Sequence, residues 1–257
     1  MFVNNGIKII HAGRAFGNMS RNPVFYPKNF TKDHIEIAHM IVRETIGAVY
    51  GFDGRKIYCA DQKNDDGSFF EITNDYVESY PNGWTTIDED ILVINDKVKE
   101  VSIGHPVGDC AVVMAYDKKK KVVSIGHCGH YHTTKMLPVS VIDALTRSYN
   151  SNDNDIEVYV APCADKENYL YETFPAWGDE KVWQGYIKET ENELYQIDLK
   201  GAINKQLLDR KIKPQNINIS TIDTITDDRF YSNYAEKHGD LSKAGRNYMG
   251  VVFKNRR

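Results

Sequence analysis

The chain reads as an α+β protein, with mixed β-sheets and a few flanking helices. Two observations predict this. Short apolar, β-branched runs bounded by turn residues recur along the whole sequence. Helical periodicity appears in only three separated places, residues 31–47, 138–149 and 198–211. A regular βαβ array would place a helix after nearly every strand.

The elements follow in order. Residues 7–11 read as a strand that runs into a glycine-containing loop over 13–20. Residues 22–29, with Pro23 and Pro27, read as irregular. Thr31 is a helix cap, and Ile35, Ala38, Val42 and Ile46 recur at helical spacing behind it. Short strands are expected near 56–60, 69–73, 91–94 and 98–103. Residues 111–116 and 122–125, joined by a polar turn over 117–121, form a hairpin. Pro138 and Ser140 introduce a helix to about Tyr149, with Val141, Ala144, Leu145 and Ser148 on one stripe. Residues 157–161 are another strand. Asp198 caps a helix that carries Leu199, Ile203 and Leu207 to about Lys211. Residues 248–254 close the chain as a strand. No composition shift marks a boundary, so residues 1–257 are expected to form one domain.

Composition narrows the function. The 41% hydrophobic content, with 16 Tyr, 10 Phe and 3 Trp, supplies a sizeable core. A net charge of −4 with scattered basic residues gives no reason to expect nucleic acid. The one basic run, Lys118–Lys121, fits a solvated hairpin turn. No apolar stretch is long enough to span a membrane. The segment MFVNNGIKII lacks the basic-then-apolar pattern of a leader. The four cysteines (59, 110, 128 and 163) form no CxxC pair. The expectation is a cytoplasmic protein with reduced thiols, monomeric or homodimeric.

The hairpin carries the chemistry. Cys110 precedes its first strand and His127 follows its second, so antiparallel pairing brings thiol and imidazole to one sheet edge. Such a pair suits a metal centre or a Cys–His catalytic pair. Asp109 precedes the thiol. Cys59 and Cys163 read as core thiols, Cys128 as a neighbour of the site, and Trp177 and Trp183 as packing aromatics. Arg14 and Arg246 are anion-binding candidates, because the guanidinium fork suits phosphate. His238 is a candidate acid or base.

The order GDC…GHCGHYH, VAPC, IDLKGAINKQLLDRKI and FYSNYAEKHGDLSKAGRNYMGVVF resembles the laccase-domain, or YfiH-like, family. The resemblance is fullest from about residue 91 to the C-terminus. Before that, GRAFGNMS is similar to the family's TRxGGxS loop. The resemblance implies an α+β fold related to the catalytic domain of cytotoxic necrotizing factor. It implies a metal, zinc ahead of copper, held by a His of a QxHG loop, the Cys of ADC and the first His of HAGWRG. By that correspondence Cys110 and His127 are metal ligands. The implied activity is phosphorolysis of purine nucleosides (adenosine, inosine, methylthioadenosine), with adenosine deamination on the side, in proteins first described as polyphenol oxidases. The implied partners are a nucleoside and phosphate.

This chain departs from the pattern at several points. The QxHG loop corresponds to Gln62-Lys63-Asn64-Asp65, which leaves the third ligand open between Asn64, His105 and His130. The Trp and Arg of HAGWRG become His130 and Tyr131, and the terminal Arg pair becomes Asn233-Tyr234. The family's NR pair becomes Ala38-His39. Three functions follow: a metal-dependent purine nucleoside phosphorylase-type enzyme, a metal-free Cys–His hydrolase or amidase, and a binding protein without turnover. Cys110, His127, Asp109, Arg246 and His238 are the catalytic candidates, with Arg14 and Arg246 for phosphate.

Overall fold

The computed structural model describes residues 6–61, 66–83 and 86–254. In chain order its elements are β1 (Ile7–Ala12), α1 (Lys32–Tyr50), β2 (Ile57–Ala60), β3 (Phe69–Glu71), α2 (Asn74–Ser79), β4 (Thr86–Ile87), β5 (Ile91–Asn95) and β6 (Ser102–Val107). The hairpin β7 (Ala111–Asp117) and β8 (Val122–Cys128) follows, then α3 (His130–Thr134), α4 (Leu137–Tyr149) and β9 (Ile156–Val160). The remainder is β10 (Leu170–Tyr171), β11 (Ile187–Glu189), β12 (Tyr195–Ile197), α5 (Leu199–Asp209), β13 (Ile217–Ile219), α6 (Asn233–Lys237) and β14 (Asn247–Phe253).

Two mixed sheets lie face to face. One has the strand order β1-β14-β6-β2-β4, the other β13-β9-β7-β8-β5-β3; a small sheet, β10-β12-β11, stands apart. Ile103, Met249 and Val251 of the first sheet share an apolar cluster with Leu92, Val112, Met114, Val123 and Ile125 of the second. Behind the second sheet, Val113, Ala115 and Ile91 pack on Val141 and Leu145 of α4 and on Ile203 and Leu207 of α5. Behind the first sheet, Ile10, Tyr248 and Val252 pack on Val42 and Ile46 of α1. The result is a helix, sheet, sheet, helix arrangement. The central strands are therefore buried on both faces, and β7 is apolar at nearly every position rather than at alternate ones.

The three long helices sit where the periodicity puts them. Thr31 Oγ1 accepts from His34 N–H at 3.3 Å, and His34 Nδ1 accepts from Thr31 N–H at 3.1 Å, so His34 closes a capping box. Asp198 Oδ1 accepts from Gly201 N–H at 2.8 Å to start α5. The hairpin register pairs Ala111 with Cys128 and Val112 with His127. His127 is thus inside β8 rather than after it. Asp117 closes the turn by accepting from the N–H groups of Lys119 and Lys120. The strand expected over 98–103 lies instead at Ser102–Val107, because Val98 turns back on the Asn95 carbonyl. Val98 and Val101 are buried by that turn without joining the ladder. Residues 62–65, which hold the QxHG-like loop, lie outside the described residues. All four cysteines are unpaired. Among the described residues, no helix is long and apolar enough to cross a membrane.

Two histidines of this frame are held in neutral form, His39 buried and His11 half-buried. His11 stacks on Tyr159 and accepts or donates at Tyr159 Oη, 3.0 Å away. Burial, helped by Arg229, depresses it to about 4 from an ordinary 6.5. Burial also depresses His39, on the inner face of α1 near Arg43 and Arg21, to about 3. In the unfolded chain both regain ordinary imidazole affinity, so below about pH 6.5 the unfolded state binds more protons. Each histidine then contributes stability that is fully present above pH ~6.5 and is lost at up to ~1.4 kcal/mol per pH unit as pH falls toward the folded values. Urea unfolding is expected to shift to lower midpoints between about pH 6.5 and 5, and His11→Gln is expected to flatten that slope. A midpoint constant over this range would contradict the neutral form of His11 and His39.

Candidate functional site

The functional groups gather in a cleft of about 630 Å³ over the end of the β7–β8 hairpin. Cys110 and His127 form its floor. Gly129 follows them, and a Cβ there would stand 2.8 Å from Cys110 Sγ and 3.7 Å from His127 Nε2. Thiol and imidazole therefore converge on one point that only a residue without a side chain leaves open.

Asp109 joins the floor to one wall. Its carboxylate is buried, and Oδ1 accepts from Thr224 Oγ1 at 2.8 Å while Oδ2 accepts from Tyr234 N–H at 2.6 Å. Burial raises its pKa above the ordinary carboxylate value, and these hydrogen bonds oppose the rise. Ser232 Oγ accepts from Ala235 N–H, so two side chains from distant parts of the sequence cap the short helix α6. Tyr234 lies on that helix. Its ring stacks on His238 with centroids 4.0 Å apart, and its Oη donates to the Leu170 carbonyl at 2.7 Å. His238 Nδ1 donates to the Tyr234 carbonyl at 2.7 Å, which leaves Nε2 as the acceptor in the neutral ring.

Arg246 closes the cleft at its basic end. Nη2 donates to Asn233 Oδ1 at 3.0 Å, Nη1 donates to the Gly245 carbonyl at 2.6 Å, and the guanidinium lies 4.7 Å over Phe25. Glu236 approaches Nη1 at 3.9 Å. Lys237 also lines the cleft. On the opposite side His130 lies flat on Trp177, with centroids 4.7 Å apart and planes at 17°. Trp177 packs on the buried Trp183, whose Nε1 donates to Thr134 Oγ1 at 2.7 Å. Among the described residues the His130 ring makes no hydrogen bond, so its stacked ring keeps its nitrogens for whatever enters the cleft.

The resting protonation states follow from burial. Burial, then the Asp109 carboxylate, pushes the Cys110 thiol up to about 12, with Arg246 pulling the other way. Burial, then His132, Arg246 and His130, holds His127 down at about 3. At neutral pH the floor is a neutral thiol beside a neutral imidazole, not a thiolate–imidazolium pair. A resting thiolate needs the opposite arrangement, whereas a neutral imidazole can take a thiol proton as general base. Thiol sulfur and imidazole nitrogen are the donor types zinc takes, but a catalytic zinc takes three protein donors. Among the described residues no group of three His, Cys, Asp or Glu side chains is placed to hold a metal ion.

The structure therefore brings Cys110, His127, Asp109, Arg246, His238 and His130 to one cleft. His105 is fully buried behind the floor, its ring 5.9 Å from that of His127, and does not line the cleft. Arg14 is also outside the lining, with Nη1 donating to the Asp228 carbonyl at 3.0 Å. Asn64 lies outside the described residues. Tyr169 and Tyr171 of the walls have no periodic signal in the sequence, because β10 is two residues long, and Tyr234 shows there only as a departure from the family's terminal Arg pair.

A family model described as multi-copper polyphenol oxidoreductase laccase matches residues 43–254. A purine nucleoside phosphorylase of Clostridium acetobutylicum is 26% identical over 197 residues, covering 74% of this chain and 78% of that protein. The purine nucleoside phosphorylase YlmD of Bacillus subtilis is 23% identical over 158 residues, covering 58% of this chain and 53% of that protein. Among solved structures, YlmD from Geobacillus stearothermophilus superposes with a TM-score of 0.75 at 15% identity, over 97% of this chain and 91% of that one. The Bacillus licheniformis hypothetical protein YfiH superposes with a TM-score of 0.69 at 19% identity, over 85% and 82% of the two chains. These two structures share the fold.

Replacing Asp109 by Asn keeps the shape of the anchor but turns an amide toward groups that require acceptors. Asp109→Asn is expected to cost ~1–3 kcal/mol and to release the start of α6. Hydrogen exchange at the Tyr234 amide reads the second effect. Exchange at the wild-type rate would show that Asp109 does not hold this wall.

Proposed function

The chain belongs to the multi-copper polyphenol oxidoreductase laccase family, and from that membership we propose that it is a purine nucleoside phosphorylase-type enzyme acting in the cleft over Cys110 and His127. The observation that carries this reading is the shape of the cleft: a basic end at Arg246 and Lys237, aromatic walls, and a polar floor. Two curated relatives that bear the name purine nucleoside phosphorylase support it.

In this reading phosphate sits at the Arg246 guanidinium. That group is oriented by Asn233, the Gly245 carbonyl and the Phe25 ring, and retains N–H donors beyond those contacts. The base stacks between the tyrosine wall and the His130–Trp177 stack, an arrangement that favours planar ligands. A phosphate oxygen attacks C1′ as the bond from C1′ to the base breaks. The proton of hydrogen phosphate ends on the departing base, and His238 Nε2 stands at the wall to relay it. Products are the free base and the sugar 1-phosphate. Cys110 and His127 offer zinc two donors, but His105 lies behind the floor and, among the described residues, no three His, Cys, Asp or Glu side chains are placed to hold a metal, so no step is routed through one.

Purified protein with adenosine or inosine is expected to release free base only when phosphate is present, and Cys110→Ala is expected to lower kcat/KM by ~100-fold, equivalent to ~2.7 kcal/mol. No phosphate-dependent release by the wild type would overturn the proposal. His130 is expected to contribute to base selection, because it lines the cleft and its ring makes no hydrogen bond among the described residues. His130→Phe keeps the stack on Trp177 and removes both nitrogens. It is expected to change the inosine-to-adenosine ratio of kcat/KM by ~10-fold or more. An unchanged ratio would remove His130 from the base subsite.

A further inference from the structure

Exposed apolar side chains concentrate on one side of this protein. Of the eleven large apolar side chains exposed among the described residues, six lie on α1 and the segment leading into it: Val24, Phe30, Ile37, Met40, Ile41 and Val49. Ile37 is 51% exposed and Ile41 59%. Helix α1 already buries one face, through Ile35, His39, Val42 and Ile46. Its outer face carries a second, independent pattern. His34, Ile37, Ile41, Glu44 and Ala48 are spaced alternately by three and four residues, Phe30 just before the cap packs on His34 to extend the row, and all six are exposed. This is the spacing of a coiled-coil seam. A soluble helix anchored by one face ordinarily keeps the other polar, and an apolar seam there marks an interaction surface.

We propose that this seam packs antiparallel against the same seam of a second copy of this chain, around a two-fold axis passing midway between Ile37 and Ile41. The argument is self-complementarity, which an isologous contact requires. About that axis Ile37 meets Ile41 of the second copy, and Ile41 meets Ile37. His34 meets Glu44 at both ends of the central pair. Phe30, the largest seam residue, meets Ala48, the smallest. Apolar faces apolar, base faces acid and large faces small at every layer. A parallel alignment would instead set Glu44 against Glu44 and Phe30 against Phe30. The cap geometry supports the polar layer. His34 Nδ1 is occupied as acceptor for Thr31 N–H, so in the neutral ring Nε2 carries the outward proton that a Glu44 carboxylate accepts. His34 also packs on Phe30, with centroids 5.6 Å apart, which joins the last two layers of the seam.

The contact spans one helix of 19 residues, roughly 28 Å long. Its area falls at the low end for specific interfaces, so the dimer is expected to be reversible, with Kd between about 1 µM and 1 mM. Sedimentation equilibrium of the full chain tests this between about 1 µM and 1 mM. A concentration-dependent monomer–dimer equilibrium is expected. Ile41→Lys is expected to raise Kd ~10-fold or more while leaving the unfolding midpoint of dilute protein unchanged, since Ile41 is 59% exposed and belongs to none of the core clusters. Glu44→Lys sets lysine against His34 and is expected to weaken the dimer. Adding His34→Glu is expected to restore it with the charges exchanged, because glutamate preserves the capping box. A wild type that stays monomeric over the whole range overturns the proposal. So does an oligomer whose Kd is the same in Ile41→Lys, which would place the contact on another face. So does failure of His34→Glu to recover the loss in Glu44→Lys.

Discussion

The register of β7 against β8 is the constraint on which the site depends. Pairing Val112 with His127 and Ala111 with Cys128 is what sets Cys110 beside His127 at the floor of the cleft. In a sheet with one wet face, polarity enforces register, since a slip of one residue exchanges the two faces. Here both faces are buried, and polarity cannot discriminate between them. Volume does so instead. Val112, Met114 and Tyr116 point into the wide space between the sheets, whereas Ala111, Val113 and Ala115 face α4. The neighbouring strand has Gly126 at its closest approach to α4, where a Cβ would stand 2.8 Å from Val141 Cγ2. A slipped hairpin would press Met114 and Tyr116 against a helix that has room only for small residues.

A second constraint ties distant chain segments to that floor. The Asp109 carboxylate is withdrawn from water at a cost met by the Thr224 hydroxyl, the Tyr234 N–H and the Ser232 side chain. Lys243 is likewise buried, and its Nζ donates to the carbonyls of Ile225 and Asp227. Lys200 pairs with Asp165 at 2.9 Å and donates to the Ile222 carbonyl, while Asp223 accepts from Asn168 and from the Asp165 N–H. The segment from Ile222 to Lys243 has little regular structure of its own. These polar anchors hold its Tyr234 and His238 against the end of the hairpin. The wall of the cleft is thus as well located as the sheet beneath it.

Electrostatics then sets what the cleft can do. Arg246 brings positive charge to within range of both Cys110 and His127, lowering the pKa of each, but burial dominates at the thiol and keeps it protonated. The cleft at rest offers a cation at one end, neutral donors and acceptors on its floor and π-faces on its sides. That distribution suits a ligand with an anionic part and a planar part better than it suits attack by a free thiolate.

Much of the architecture was legible from residue patterns. Helices α1, α4 and α5 are long, amphipathic and bounded by Thr31, Pro138 and Asp198, so local signals and tertiary packing agree. The hairpin, and with it the approach of Cys110 to His127, followed from two apolar runs and one polar turn. Strand β6 was displaced because Val98 and Val101 look like strand residues but are buried by a turn. The other elements of the cleft left no local trace. Strand β10 has two residues and α6 has five, too few to show a period. The stack of His130 on Trp177, the cap that Asp109 places on Tyr234, and the position of Arg246 rather than Arg14 at the cleft join residues far apart in the chain. The sequence by itself determined the layers and the hairpin, because periodicity and capping act within a few residues. Tertiary structure alone decided which charges and rings surround the thiol, because those contacts are set by burial between segments whose order in the chain says nothing of their distance in space.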